Sequence, residues 1–292
     1  MGLPNIPVMT DDDEEWDDSA SPVKPPEQYY DEFGAGEWDR LEANPVTRFE
    51  YENTIDVLET HLPERGEVLD AGGGPGRYSV WLASRGYAVE HLDVSAEQVR
   101  LAREKAAERG VGDRVSCRQG DIRELPFGDA RFDAVCCLGG PLSHVIDADA
   151  RETAASELAR VAAPGAAVFV SVIGRLTAIR DGIRHGLDEH PGILPELAET
   201  GDYTKGLIAE HGGDGWAECH FFRVYELERL LESAGLDVER LVGLEGPASV
   251  MEPELADASE EAVDAVREVV RLLRDDRAVA DLSAHILAVC RR

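Results

Sequence analysis

Apolar and polar positions change rhythm several times along this chain, and the middle third is the most regular. Short apolar runs at Glu67–Ala71, Ala88–Asp93, Arg114–Gln119, Phe132–Leu138 and Ala166–Val172 have strand length. Between them lie helix-period stretches at Arg77–Arg85, Ala96–Glu108 and Ala148–Ala162. Ser95 is a good N-cap for the second of these, Gly86 and Gly110 follow helix ends, and Pro164-Gly165 is a turn. Strands alternating with helices through short loops predict a parallel sheet covered on both faces, an α/β doubly wound fold.

Outside this block the patterns are looser. Residues 1–28 are polar, acidic and proline-bearing, and read as a disordered tail. From 29 to 62, Phe33, Trp38, Leu41, Phe49, Tyr51, Ile55 and Leu58 recur at mixed, mostly helical spacings, and predict two helices forming an N-terminal lid. Pro63 and Gly66 end the second, so the core domain is expected over 63–172. The rhythm fails over 173–222, which reads as an insertion acting as a substrate lid. A helix at Tyr225–Ala234, a strand at Leu236–Val242, a long helical stretch at Glu254–Leu273 and a strand at Ser283–Arg292 would complete the sheet over 223–292.

Composition then narrows the setting. With 292 residues, 43% of them hydrophobic, the chain can bury a sizeable core. It has no run of roughly 20 apolar residues, and its first residues lack a signal-peptide layout, so a cytoplasmic location is expected. The formal charge is −30, and only Lys24, Lys105 and Lys205 among 29 basic residues are lysines. This resembles proteins of salt-loving organisms, where a Debye length of about 3 Å at 1 M salt screens self-repulsion. An acidic surface makes nucleic acid a poor default partner. Five cysteines without a C-x-x-C pair read as buried free thiols, with no metal site.

Chemistry concentrates at the strand ends. Asp70-Ala-Gly72-Gly-Gly74-Pro-Gly76 follows the first strand and opens a helix. Glycine is required where the backbone takes positive φ or must lie directly against a ligand. A phosphate loop would need a Gly-Lys-Ser/Thr ending, and no lysine is near; a dinucleotide loop would need a third glycine at position 77, which is arginine. Asp93 ends the second strand, 21 residues past Gly72, where a carboxylate accepts from ribose hydroxyls. Asp121 and Ile122 follow the third strand; a carboxylate accepts from an exocyclic amine and an aliphatic covers a purine face. Taken singly, a tight turn, a helix entry and an Asx turn remain open readings.

In this order the three elements resemble the class I S-adenosylmethionine-dependent methyltransferase family, from about residue 66 to 172. Phe132-Asp-Ala-Val135 and Leu158-Ala-Arg-Val-Ala-Ala-Pro-Gly165 resemble later motifs of that family, whereas Gly73-Gly74-Pro75 stands where its loops often carry Cys-Gly-Thr. The resemblance implies a Rossmann-like sheet with an antiparallel last strand, and S-adenosylmethionine as cofactor. It implies that Gly72, Gly74 and Gly76 approach the methionine portion, with Asp70 ordering the loop and meeting the α-ammonium through water. It further implies that Asp93 with Val94 holds the ribose, that Asp121 and Ile122 recognise adenine, and that Leu138 lies beside the sulfonium.

Methyl transfer is an in-line displacement, so alignment and exclusion of water matter most, and a base is needed only if the acceptor loses a proton. His144 and His220 are the candidate catalytic residues, each with an alternative as a structural histidine. Tyr29, Tyr30, Trp38 and Arg48 are candidates to touch cofactor or substrate, with helix packing as their other reading. A small-molecule acceptor is the leading expectation. An RNA or protein methyltransferase on the same fold is the alternative, weakened by the absence of a basic stripe and of an Asn-Pro-Pro-Tyr-like tetrapeptide. A non-catalytic S-adenosylmethionine-binding protein is the third.

Overall fold

A computed structural model describes residues 23–185, 190–212 and 216–292. Three helices open the described chain: α1 (Pro26–Phe33), α2 (Gly36–Arg40) and α3 (Pro45–His61). The alternating block follows as β1 (Glu67–Ala71), α4 (Arg77–Ser84), β2 (Ala88–Asp93), α5 (Ala96–Glu108), β3 (Val115–Gln119), β4 (Phe132–Cys137), α6 (Ala148–Val161) and β5 (Ala162–Ile173). The insertion holds α7 (Arg175–His185), α8 (Ile193–Thr200), β6 (Asp202–Tyr203), α9 (Lys205–His211) and β7 (Cys219–His220). The chain continues with α10 (Val224–Ser233), β8 (Asp237–Gly243), α11 (Glu252–Ala256), α12 (Glu260–Leu273), α13 (Arg277–Asp281) and β9 (His285–Arg291).

Seven strands form one sheet in the order β3-β2-β1-β4-β5-β9-β8. Pairing is parallel from β3 to β5, whereas β9 runs antiparallel to both its neighbours, so it alone is reversed. Side chains alternate across the sheet as the period of two requires. On one face Val168, Val170, Ile286, Ala288 and Cys290 pack with Leu158 of α6 and Leu227 of α10. On the other, Ala167, Phe169, Leu287 and Val289 pack with Val57 and Leu58 of α3 and Leu82 of α4. Both faces of β9 are therefore buried, and its Ile286, Leu287 and Val289 are fully so, each worth about 1.5–3 kcal/mol of transfer free energy. Strand order reverses direction between β1 and β4, and open sheets of this kind bind ligands at the carboxyl rim of that switch point.

The expected fold class is present, with differences at the margins. Residues 1–22 of the predicted tail lie outside the described residues, but 23–28 are built into the fold. Val23 is buried among Trp216, Ala217 and Tyr203, and the Lys24 N–H donates to the Trp216 carbonyl over 2.9 Å. The described N-terminal segment has three helices rather than the two expected. Asn44 starts the longest, its side chain accepting from the Thr47 N–H at 3.0 Å while the Thr47 hydroxyl accepts from the Asn44 N–H. The helical stretch expected at Glu254–Leu273 is divided, because Ser259 caps a new helix by accepting from the Ala262 N–H. The insertion has its own small core, in which Trp216 stacks on Phe221 with ring centroids 5.9 Å apart.

Candidate active site

The loop after β1 lies on β2. The Gly72 and Gly73 N–H groups donate to the Leu92 carbonyl, the Gly76 N–H to the Gly73 carbonyl, and the Gly74 N–H to Asp93 Oδ2 at 2.8 Å. Pro75 has no N–H, so the loop retains no backbone donor for a phosphate. Gly72, Gly74 and Gly76 hold φ of +72°, +54° and +87°, values that side-chain-bearing residues rarely adopt. A Cβ on Gly72 would lie 2.5 Å from the Pro141 ring, and one on Gly76 would lie 3.0 Å from Ala102 Cβ. Beneath the loop, buried Asp70 accepts from the Ser79 hydroxyl at 2.6 Å through Oδ2, while its Oδ1 has no hydrogen-bond partner. Asp70 thus supports the loop from below and is not in the cavity wall; Gly76, packed on α5, is not in it either.

Above the loop is a cavity of about 410 Å³, within the usual size range of ligand sites. Gly72, Gly74, Asp93, Val94, Asp121, Ile122 and Leu138 all line it, drawn from the ends of four neighbouring strands. Asp93 Oδ1 accepts from the Ser95 N–H at 2.9 Å, so each carboxylate oxygen has one backbone partner and a lone pair to spare. Burial raises the Asp93 pKa, against those two hydrogen bonds, which oppose it. Asp121 differs: partial burial would raise its pKa, but hydrogen bonds from Arg123 outweigh that and hold it low. These walls fit an adenosine ligand: two carboxylates for hydroxyl and amino donors, and Val94 and Ile122 as aliphatic surfaces.

At the far end, α1 closes the cavity with Pro26, Glu27 and Tyr30. The Tyr30 hydroxyl lies 3.0 Å from His144 Nε2, and His144 Nδ1 lies 2.9 Å from the Glu218 carbonyl. A carbonyl only accepts, so Nδ1 carries the proton and Nε2 accepts from Tyr30. Burial lowers the His144 pKa, opposed by the Glu218 contact, so the imidazole is neutral at pH 7. His220 does not line the cavity. Its Nδ1 lies 2.5 Å from Asp202 Oδ1 across the β6–β7 pair, and its ring meets Phe222 edge-on. Its expected place facing the pocket is corrected: a two-residue strand turns it inward.

Among the aromatic and basic lid candidates, only Tyr30 reaches the cavity. Tyr29 packs with the insertion core, Trp38 is buried against Arg77, and Arg48 is exposed. The sequence reading missed Glu37 and Arg40 of α2, both in the wall. Their i,i+3 spacing was the available signal, and it looks like an ordinary surface ion pair.

Residues 68–165 match the methyltransferase domain family. The chain is 34% identical over 188 residues to methyltransferase GfsG of Streptomyces halstedii, covering 64% of this chain. It is 34% identical over 135 residues to the 2-heptyl-1-hydroxyquinolin-4(1H)-one methyltransferase of Mycobacteroides abscessus, covering 46% of this chain. It spans 56% of the length of each of these two relatives. Among solved structures it resembles an S-adenosylmethionine-dependent methyltransferase from Methanosarcina mazei, with a TM-score of 0.56, 20% identity, and coverage of 81% of this chain and 96% of that one. It also resembles the structure of a complex between the Haloferax volcanii Trm112 methyltransferase activator and a methyltransferase, with a TM-score of 0.55, 18% identity, and coverage of 92% and 98%. Both likenesses concern the fold.

Proposed function

We propose that the protein is a class I S-adenosylmethionine-dependent methyltransferase that transfers a methyl group to a small-molecule acceptor, a reading supported by the match of residues 68–165 to the methyltransferase domain family. The observation that carries this reading is the cavity itself. Its floor is the glycine loop, its walls are Asp93, Val94, Asp121 and Ile122, and its roof is an N-terminal helix.

When bound, the cofactor supplies an electrophilic methyl group on a sulfonium. The chain's own residues have four tasks. Asp93 accepts from the ribose hydroxyls through its spare lone pairs, while its backbone bonds fix the carboxylate between the loop and α5. Asp121 and Ile122 take the adenine, with Arg123 keeping Asp121 ionised. Leu138 and Gly139 present a surface without polar side chains near the reacting centre, and α1 excludes water. His144 and Tyr30 stand at the acceptor end. A neutral Nε2 that accepts from the Tyr30 hydroxyl can take a proton relayed through that hydroxyl, so the pair suits an acceptor that loses a proton.

The acceptor end also carries Glu27, Asp147 and Glu218, which oppose a polyphosphate and favour a small acceptor over RNA. Calorimetric titration with S-adenosylhomocysteine, a crystal structure of that complex, and transfer of labelled methyl to a panel of small molecules test the proposal. Binding at the carboxyl rim of β1, β2, β3 and β4, with turnover, is expected. No binding refutes the reading, and tight binding with transfer only to RNA or protein moves the acceptor to the alternative class.

A further inference from the structure

A buried charged chain lies behind the cavity. Arg40 of α2 donates from Nε to Glu37 Oε1 at 2.9 Å, and from Nη1 and Nη2 to the two oxygens of Glu50 on α3 at 2.7 and 3.2 Å. Glu50 Oε2 is 3.6 Å from His285 Nδ1, and His285 Nδ1 is 2.7 Å from Glu245 Oε1. Glu50, Glu245 and His285 are each at most 2% exposed. Their ligand atoms lie within 4.8 Å of one another, but this is no vacant metal site. Arg40 takes both Glu50 oxygens, and Glu245 Oε2 already accepts from the Ser283 hydroxyl and the His285 N–H, both at 2.8 Å.

Such a chain is costly to bury unless its charges are paired and aimed at something. Arg40 has five N–H donors, and three are used by Glu37 and Glu50. A Cβ on Gly139 would lie 3.9 Å from Arg40 Nη2, and one on Gly74 would lie 3.8 Å from Glu37 Cγ. The pair therefore faces both the glycine loop and the end of β4, one carboxylate and one guanidinium side by side in the cavity wall. A ligand group with the complementary pair of charges is a zwitterionic amino acid.

We propose that Glu37 and Arg40 read the α-ammonium and α-carboxylate of the cofactor, and that Glu50, His285 and Glu245 are positioning residues that fix the Arg40 fork. This rests on the assignment of the cavity to S-adenosylmethionine. Burial disfavours an imidazolium at His285, but the Glu50 and Glu245 carboxylates outweigh burial and raise its pKa. In the protonated form, His285 balances one of the carboxylates behind Arg40. Among the described residues, the charged and titratable groups around this chain include Glu37 and Arg40 on α2, Glu50 on α3, Tyr78 on α4, and Glu245 after β8.

The test compares two nucleosides on the full chain by titration calorimetry: S-adenosylhomocysteine, which carries the amino acid, and 5′-methylthioadenosine, which does not. Arg40→Lys keeps a charge beside Glu50 but loses the fork. It is expected to weaken S-adenosylhomocysteine by about 10- to 100-fold, the range of a lost charge-assisted pair, while 5′-methylthioadenosine changes less than about threefold. Glu50→Gln and His285→Gln should lower the same ratio in the same direction. In the wild type the ratio should fall as pH rises through the His285 pKa, and His285→Gln should flatten that profile. Equal loss for both nucleosides, or no change for either, overturns the proposal. A wild-type protein that binds neither nucleoside overturns instead the cofactor assignment beneath it.

Discussion

Two alanine substitutions in the glycine loop separate backbone strain from crowding and from ligand contact. Gly72 and Gly74 both sit in the left-handed region, at φ +72° and +54°. Alanine in that region costs about 1–2 kcal/mol at either position. The surroundings differ. At Gly72 the new methyl would lie 2.5 Å from Pro141 Cβ and Cγ, in the turn that leads to His144. Forcing a methyl into packed surroundings adds about 1–3 kcal/mol, so Gly72→Ala should cost about 2–5 kcal/mol in all. At Gly74 the nearest neighbour is Glu37 Cγ at 3.8 Å, so the methyl enters the cavity without crowding and only the backbone cost remains. Urea unfolding should therefore rank wild type above Gly74→Ala above Gly72→Ala, with unchanged m-values. Titration of the surviving folded protein with S-adenosylhomocysteine should show a clear loss for Gly74→Ala despite its milder effect on stability. Equal destabilisation of the two variants would refute the reasoning about space, and wild-type affinity in Gly74→Ala would remove the ligand from this loop.

Other outcomes follow from the same geometry. Asp93→Asn can accept from Gly74 or from Ser95 but not from both, so S-adenosylhomocysteine affinity should fall by about 10- to 100-fold in calorimetry. The Asp93 pKa is raised on folding, so its contribution to stability is fullest below the usual carboxylate range and is lost as pH rises through the raised value. Nucleoside binding needs the ionised form, so affinity should instead fall on acidification through that value, and Asp93→Asn should flatten the profile. Tyr30→Phe and His144→Gln should slow transfer to a hydroxyl acceptor while leaving S-adenosylhomocysteine affinity within about threefold; equal losses in binding would mean a structural role. Asn44→Ala removes the cap of α3 and should cost about 1 kcal/mol in thermal or urea unfolding.

What the sequence made legible was local. Positive φ at Gly72 and Gly74 and the helix entry at Ser95 are set by neighbours a few residues away, so the loop and Asp93 could be placed from spacing alone. Asp121 was legible as an acid after a strand, but not its clamp by Arg123, which depends on side-chain geometry. Glu37 and Arg40 were missed because nothing local distinguishes a pair on a five-residue helix from solvent-exposed charge; only the docking of α2 over two loops makes it a wall. His220 was misplaced for a similar reason, since pairing of two residues with Asp202 and Tyr203 decides its direction. Within 175–211, helices of 7–11 residues carry weak periodicity and are held mainly by packing around Leu197, Leu207 and Ala178.

The attachment of α1 has a kinetic side. The Gln98 side-chain amide donates to the Tyr30 and Gly34 carbonyls, and Asp31 accepts from the Ser95 hydroxyl and the Glu97 N–H. The helix that closes the far end of the cavity is therefore bolted to the first turn of α5, directly behind Asp93. On the proposed function, a product nucleoside that left past that helix would wait for these bonds to break together, and its residence time would carry the cost of that opening.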